Sequence, residues 1–198
     1  MKTLDFIFDF ASPNAYLAYR ALPQMLERTG AVLNIIPCLL GGIFKLTGNQ
    51  APWMTYANVK GRNDYDQLEM RRFIERHALR TFRLNPHFPV NTLHLMRTLV
   101  AAEMRGEKER TIEAGLAAMW EKGLKMDDPA VVGDALNAAG LDAKALMAAA
   151  QEQPVKDRLT RNTEHAVARG AFGVPTFFVG DEIFFGKERL AQIEELLT

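Results

Sequence analysis

With 198 residues, 48% of them hydrophobic and 24% charged, the chain suits one large domain or a domain with a sizeable insertion, and its composition argues against a disordered chain. Lys plus Arg and Asp plus Glu number 24 each, so the basic excess of a nucleic-acid binder is absent. No apolar run is long enough to span a bilayer, and Asp5 and Asp9 interrupt the apolar start where a secretory signal would need continuity.

The single cysteine, Cys38, excludes an internal disulfide, and with the missing signal it predicts a cytoplasmic protein. Cys38 follows Pro37 at the end of an apolar run and reads as a core thiol. The arginines between Arg71 and Arg83 alternate with Glu75 and follow Glu69, the pattern of a solvated helix face.

Residues 3–10 are rich in Phe and Ile and predict a largely buried strand. Ser12 and Pro13 follow at once, a preferred N-cap and a preferred first helical residue, so a helix runs from there through Arg28. Gly30 closes it, and residues 31–36 (AVLNII) predict a second strand, parallel to the first across a right-handed crossover. Residues 52–170 are helical in character. Starts are expected at Asn63, Asn91 and Asp128-Pro129, and stops at Gly106, Gly123 and Gly140. Residues 176–179 (TFFV) and 182–185 (EIFF), joined by Gly180-Asp181, predict a hairpin. Leu190, Ile193, Leu196 and Leu197 mark the apolar face of a last helix. The order is therefore βαβ, a helical block, then ββα. Residues 1–50 and 171–198 form a small α/β unit, and residues 51–170 form an all-helical insertion.

Two features carry chemistry. Ser12 stands where helical amide groups and the positive end of the helix dipole converge, which stabilises an anion, although on residue statistics alone it is simply a cap. Val174-Pro175 precedes a strand, and a cis bond there would turn a backbone edge toward the Ser12 helix tip. His77, His87, His94 and His165 have no metal-ligand spacing, so no metal is expected.

Three blocks of the chain resemble the 2-hydroxychromene-2-carboxylate isomerase family, relatives of the kappa-class glutathione transferases and the DsbA-like redox proteins. They are DFASPNAYLA at 9–18, LLGGIFKLTGN at 39–49 and FGVPTFFVGDEIFFGKERL at 172–190, in the family's order. The resemblance implies a thioredoxin-like fold whose helical insertion roofs the active site, with glutathione as cofactor. It implies that Ser12 donates to the glutathione thiolate as the catalytic group, that Val174 and a cis Pro175 hold the cysteinyl part, and that Glu188 takes the ammonium of the γ-glutamyl end. Lys187 departs from the family's Asn or Ser. It either pairs with the γ-glutamyl carboxylate or weakens the site.

The resemblance also places Lys45 and Asn49 near the substrate, with Lys45 neutralising its carboxylate, although on residue grounds alone Lys45 reads equally as an exposed loop lysine. Trp53 either borders the aromatic substrate site or is simply packing. It assigns an early acidic residue of the insertion to either Asp66 or Glu69. Asn85 to Thr92 form a polar and aromatic loop that either lines the pocket or serves as a connector with Asn91 as a cap. The implied activity is glutathione-dependent isomerisation of 2-hydroxychromene-2-carboxylate or a similar aromatic carboxylate by a homodimer engaged in aromatic-compound catabolism. A kappa-like transferase and a non-catalytic thioredoxin-fold binding protein are the alternatives. A thiol–disulfide oxidoreductase lacks its cysteines at the Ser12 tip.

Overall fold

The computed structural model describes residues 2–198. The first strand, β1 (Thr3–Phe8), leads into α1 (Pro13–Thr29) and β2 (Val32–Pro37). The helices α2 (Leu40–Thr47), α3 (Pro52–Thr55), α4 (Arg62–Arg76), α5 (Leu93–Glu103), α6 (Lys108–Trp120), α7 (Pro129–Ala138), α8 (Ala143–Ala149) and α9 (Gln153–Ala168) follow. The chain closes with β3 (Thr176–Val179), β4 (Glu182–Phe185), a 3-10 turn at Lys187–Arg189 and α10 (Leu190–Leu197). Among the described residues no helix is long and apolar enough to cross a membrane.

The four strands form one sheet in the order β2-β1-β3-β4. β1 and β2 run parallel with Thr3 opposite Val32, while β3 is antiparallel to both β1 and β4. This is the expected βαβ plus ββα arrangement. The hairpin occupies the predicted residues, and the first strand ends two residues early, at Phe8, because the chain turns there to bring Asp9 inward. Alternation along β1 sends Leu4, Phe6 and Phe8 to one face and Asp5 and Ile7 to the other. The Phe6 ring stacks on Phe177 at 4.7 Å, and Phe8 meets Tyr19 of α1. On the opposite face Asp5 pairs with Arg169, at the end of α9, at 2.7 Å. Helices thus cover both faces of the sheet.

Capping follows the sequence signals in α1 and α7, whereas α4 starts at Arg62 after Gly61 and not at the expected Asn63. Gly30 ends α1 in the left-handed conformation, where a side chain would be strained, and Asp128 caps α7 by accepting from Ala130 N. Helix α5 begins at Leu93 with Thr92 as its N-cap residue, while Asn91 accepts from Leu93 N one position earlier. Helix α9 lies within the stretch read as insertion and packs on β2 and α2. Asn162 donates to Pro37 O, and Leu39 N donates to Thr163 Oγ1. One continuous apolar core joins the sheet to the helical block.

The tightest point of that join is Gly115, in the middle of α6. A Cβ there would lie 2.5 Å from Cε1 of Phe10, in the segment that carries Ser12. Gly115→Ala gains about 0.5–1 kcal/mol of helix propensity but forces Phe10 to move, a cost of about 1–3 kcal/mol or more, so net destabilisation is expected. Gly133→Ala, whose new Cβ would meet only Met147 Sδ at 3.7 Å, should be neutral or stabilising. Denaturant melts of the two variants check the contrast. Equal stability of both would refute the close Phe10 contact.

Candidate active site

Ser12 sits at the N-cap of α1 with extended backbone (φ −95°, ψ 115°) and is buried. Its hydroxyl accepts from Ala15 N at 3.2 Å and donates to Val174 O at 2.9 Å. The Val174–Pro175 bond is cis. The helix tip and the segment before β3 therefore meet, and the hydroxyl's one proton is committed to a hydrogen bond with the opposing carbonyl.

The loop bearing Ser12 is held from three sides. Asp9 is fully buried, and its carboxylate accepts from Ala11 N at 2.9 Å, Leu40 N at 2.7 Å and Thr92 Oγ1 at 2.7 Å. Burial pushes its pKa up, and the three donors pull against that rise. Trp120, buried at the end of α6, donates its indole N–H to Phe10 O at 2.9 Å. Asp9 and Trp120 were not among the sequence candidates. The available signal was an ionisable residue at the end of a buried strand, which must find partners.

Lys187 enters the molecule rather than the solvent, with only 1% of its side chain exposed. Its ammonium donates to Glu69 of α4 and to Glu188, the latter at 2.5 Å, and lies 5.2 Å from the centre of the Phe73 ring. Glu69 and Phe73 are one helical turn apart on α4, so the lysine ties the first long insertion helix to the turn after β4, which packs beside α1. Glu69 is therefore the acidic residue facing the α/β unit, whereas Asp66 pairs with Arg62 on its own helix. Burial and the neighbouring Glu188 raise the Glu69 pKa. For Glu188, burial opposes ionisation, but the Lys187 ammonium prevails and holds its pKa below the usual glutamate value.

The other candidates are dispersed. Asn49 donates to Phe172 O at 2.8 Å, fastening the end of α2 two residues before Val174. Trp53 is 46% exposed on α3, a helix with no buried residue, and its carbonyl accepts from Asn63. Lys45 lines a cavity between α2, α5 and α9 whose walls include none of Ser12, Val174, Pro175, Lys187 or Glu188. Within the Asn85–Thr92 loop, Asn85 is a buried connector that donates to Met119 O and Leu124 O, while Thr92 reaches Asp9.

Comparisons with known proteins agree with this architecture. The family model of the DSBA-like thioredoxin domain matches residues 3–198. A 2-hydroxychromene-2-carboxylate isomerase from Sphingobium xenophagum is 30% identical over 199 residues, covering 99% of this chain and 98% of its own. The kappa 1 glutathione S-transferase of Rattus norvegicus is 26% identical over 211 residues, covering 99% and 91%. Among solved structures, a 2-hydroxychromene-2-carboxylate isomerase superposes with a TM-score of 0.81 at 25% identity, covering 98% of this chain and 94% of the other. The chain belongs to the DSBA-like thioredoxin family and, within it, to the 2-hydroxychromene-2-carboxylate isomerase family.

Removing the lysine of the buried cluster should expose its electrostatics. Lys187→Met leaves two facing carboxylates without a cation. Because these are 25% and 43% exposed, the cost is screened and should be about 1–3 kcal/mol at pH 7. That cost should shrink as the pH falls: in the variant, burial and mutual repulsion raise the two carboxylates, so they neutralise from above the ordinary glutamate value of 4.5, and below that value the wild-type pairing through Glu188 is lost. Stability curves of both proteins against pH check this. A difference that does not depend on pH would mean that lost packing, and not charge, dominates.

Proposed function

We propose that the protein is a glutathione-dependent cis–trans isomerase acting on 2-hydroxychromene-2-carboxylate or a similar aromatic carboxylate. The observation that carries this reading is a serine hydroxyl, not a thiol, at the α1 tip facing Val174 O beside the cis Pro175. Thiol–disulfide exchange needs cysteine at that tip. The chain's one cysteine, Cys38, lies fully buried, with burial and then the Asp9 charge pushing its thiol pKa far up.

The donor set fits glutathione. At Ser12 the hydroxyl and the N-terminus of α1 suit a thiolate, since a charge-assisted hydrogen bond and the helix dipole both favour the ionised sulfur. Val174 and Pro175 would hold the cysteinyl part against their backbone. The two carboxylates of the Lys187 cluster outnumber its single ammonium, leaving one net negative charge for an amino group, with Glu188 the more exposed acceptor. Lys187, already engaged twice, serves this end of the site by positioning Glu188 and α4.

The chemistry that glutathione supplies when bound is reversible addition of its thiolate to a conjugated double bond, which permits rotation before elimination. Ser12 must turn its proton from Val174 O to the sulfur, exchanging a neutral hydrogen bond for a charge-assisted one worth more. Asp9 and Trp120 hold the loop while that proton moves, so that only the hydroxyl rotates. Asn49 steadies the backbone leading to Val174, and Trp53, on the exposed α3, offers an aromatic surface to the substrate. A homodimer working in the cytoplasm on aromatic-compound catabolism completes the reading.

A second reading, a kappa-like transferase, draws support from the 26% identical rat enzyme. It differs in fate alone, because conjugation depletes glutathione and isomerisation does not.

Calorimetric titration with glutathione tests the site. Wild type should bind, Glu188→Ala should bind at least about tenfold more weakly (about 1.4 kcal/mol), and Ser12→Ala should raise the bound thiol's pKa by about 1–2 units. With a substrate in hand, turnover without loss of glutathione is expected. Net loss would favour the transferase reading, and absence of glutathione binding would sink both.

A further inference from the structure

The cavity that Lys45 lines lies between α2, α5 and α9, is partly open to solvent and has a volume of about 210 Å³. Its apolar wall comes from Leu39, Leu46, Leu93 and Leu159. Its charged groups are Lys45, Arg97, Lys156 and Glu164, three cations against one carboxylate, a net charge of +2. Among the described residues, no ion pair uses any of these four side chains. Of the four, Arg97 and Lys156 are half-buried and Lys45 and Glu164 exposed, whereas the half-buried Arg20, Lys108 and Arg169 elsewhere have found partners.

The hydroxyls of the cavity are committed. Thr163 donates to Leu159 O and accepts from Leu39 N, and Thr160 donates to Lys156 O. The side-chain donors left for a ligand are therefore the ammonium groups of Lys45 and Lys156 and the guanidinium of Arg97. A guanidinium presents a planar fork that matches a carboxylate, and ammonium groups add charge without demanding geometry. Concave apolar walls with a few convergent polar groups are the general form of a small-molecule site, and this one falls below the ~300–1,000 Å³ of drug-sized pockets.

We infer that this cavity is a second ligand site, separate from the Ser12 groove, which takes a small amphipathic carboxylate. The leucines receive the apolar body, and Arg97, Lys156 and Lys45 receive the carboxylate. A bare inorganic anion leaves the leucine wall unused, and a neutral alcohol leaves the cations uncompensated. Glu164, the exposed acidic residue of the lining, sets a direction, since it repels a carboxylate that enters with its charge toward that side.

Octanoate and 2-naphthoate, titrated calorimetrically into the full-length protein, are suitable probes, with octanol and inorganic phosphate as controls. At least one of the two carboxylates should bind, and its affinity should fall at least about tenfold in the Arg97→Gln/Lys156→Gln double variant. Leu46→Glu, at a largely exposed position of the wall, should weaken binding similarly and serves if the double variant does not fold. Affinity for the carboxylate should be unchanged at saturating glutathione. The inference is overturned if neither carboxylate binds, if octanol or phosphate binds as tightly as the carboxylates, if the folded variants bind as well as wild type, or if glutathione displaces the probe.

Discussion

The carboxylate of Asp9 is the constraint on which the rest of the structure depends. A carboxylate with no exposed surface must be matched by donors, and Asp9 draws them from three separate parts of the chain. Ala11 N comes from its own loop, Leu40 N from the start of α2, and the Thr92 hydroxyl from the residue that precedes α5. One buried group thereby fixes where β1 ends, where α2 begins and where the helical block docks. The Trp120 indole on Phe10 O and the Phe10 ring against Gly115 seal the same junction with α6. Ser12 follows this anchored segment directly, so its hydroxyl is placed by contacts that it does not itself make.

With its loop held in this way, Ser12 has a single degree of freedom that matters, the direction of its proton. In the structure that proton points at Val174 O, which satisfies a buried carbonyl. A thiolate brought to the helix tip competes with the carbonyl for it, and the ionised acceptor has the advantage. The serine therefore suits a site in which the reactive sulfur is brought in by a ligand. Cys38, by contrast, sits only one residue beyond β2 but in the core, where burial keeps its thiol protonated.

Lys187 shows how a departure from a family pattern is accommodated. A buried ammonium is costly alone, and here it is offset by two carboxylates and the face of an aromatic ring. Because one carboxylate belongs to α4 and the other to the turn beside α1, the cluster holds the insertion to the sheet unit at a second point, distant in sequence from Asp9. It also gives the ammonium a structural occupation, which leaves the excess negative charge, not the lysine, as the property of that end of the site.

Much of the architecture was legible from residues alone, because local rules decide it. Alternation and apolar runs define the strands, Ser12-Pro13, Gly30 and Asp128-Pro129 set helix ends, and Gly180-Asp181 closes the hairpin, all through backbone preferences that act within a few residues. The three motif blocks likewise marked Ser12 and Val174-Pro175, and the structure brings these into direct contact. Tertiary structure alone decided what depends on long-range pairing. It turned Lys187 inward onto Glu69 while Asp66 paired with Arg62, sent Lys45 to a cavity whose lining does not include Ser12, and made Asp9 and Trp120 the supports of the loop. Sequence by itself reports that a charged or polar side chain is present. Only the packed chain, by removing water from around it, determines which partner that side chain is obliged to find.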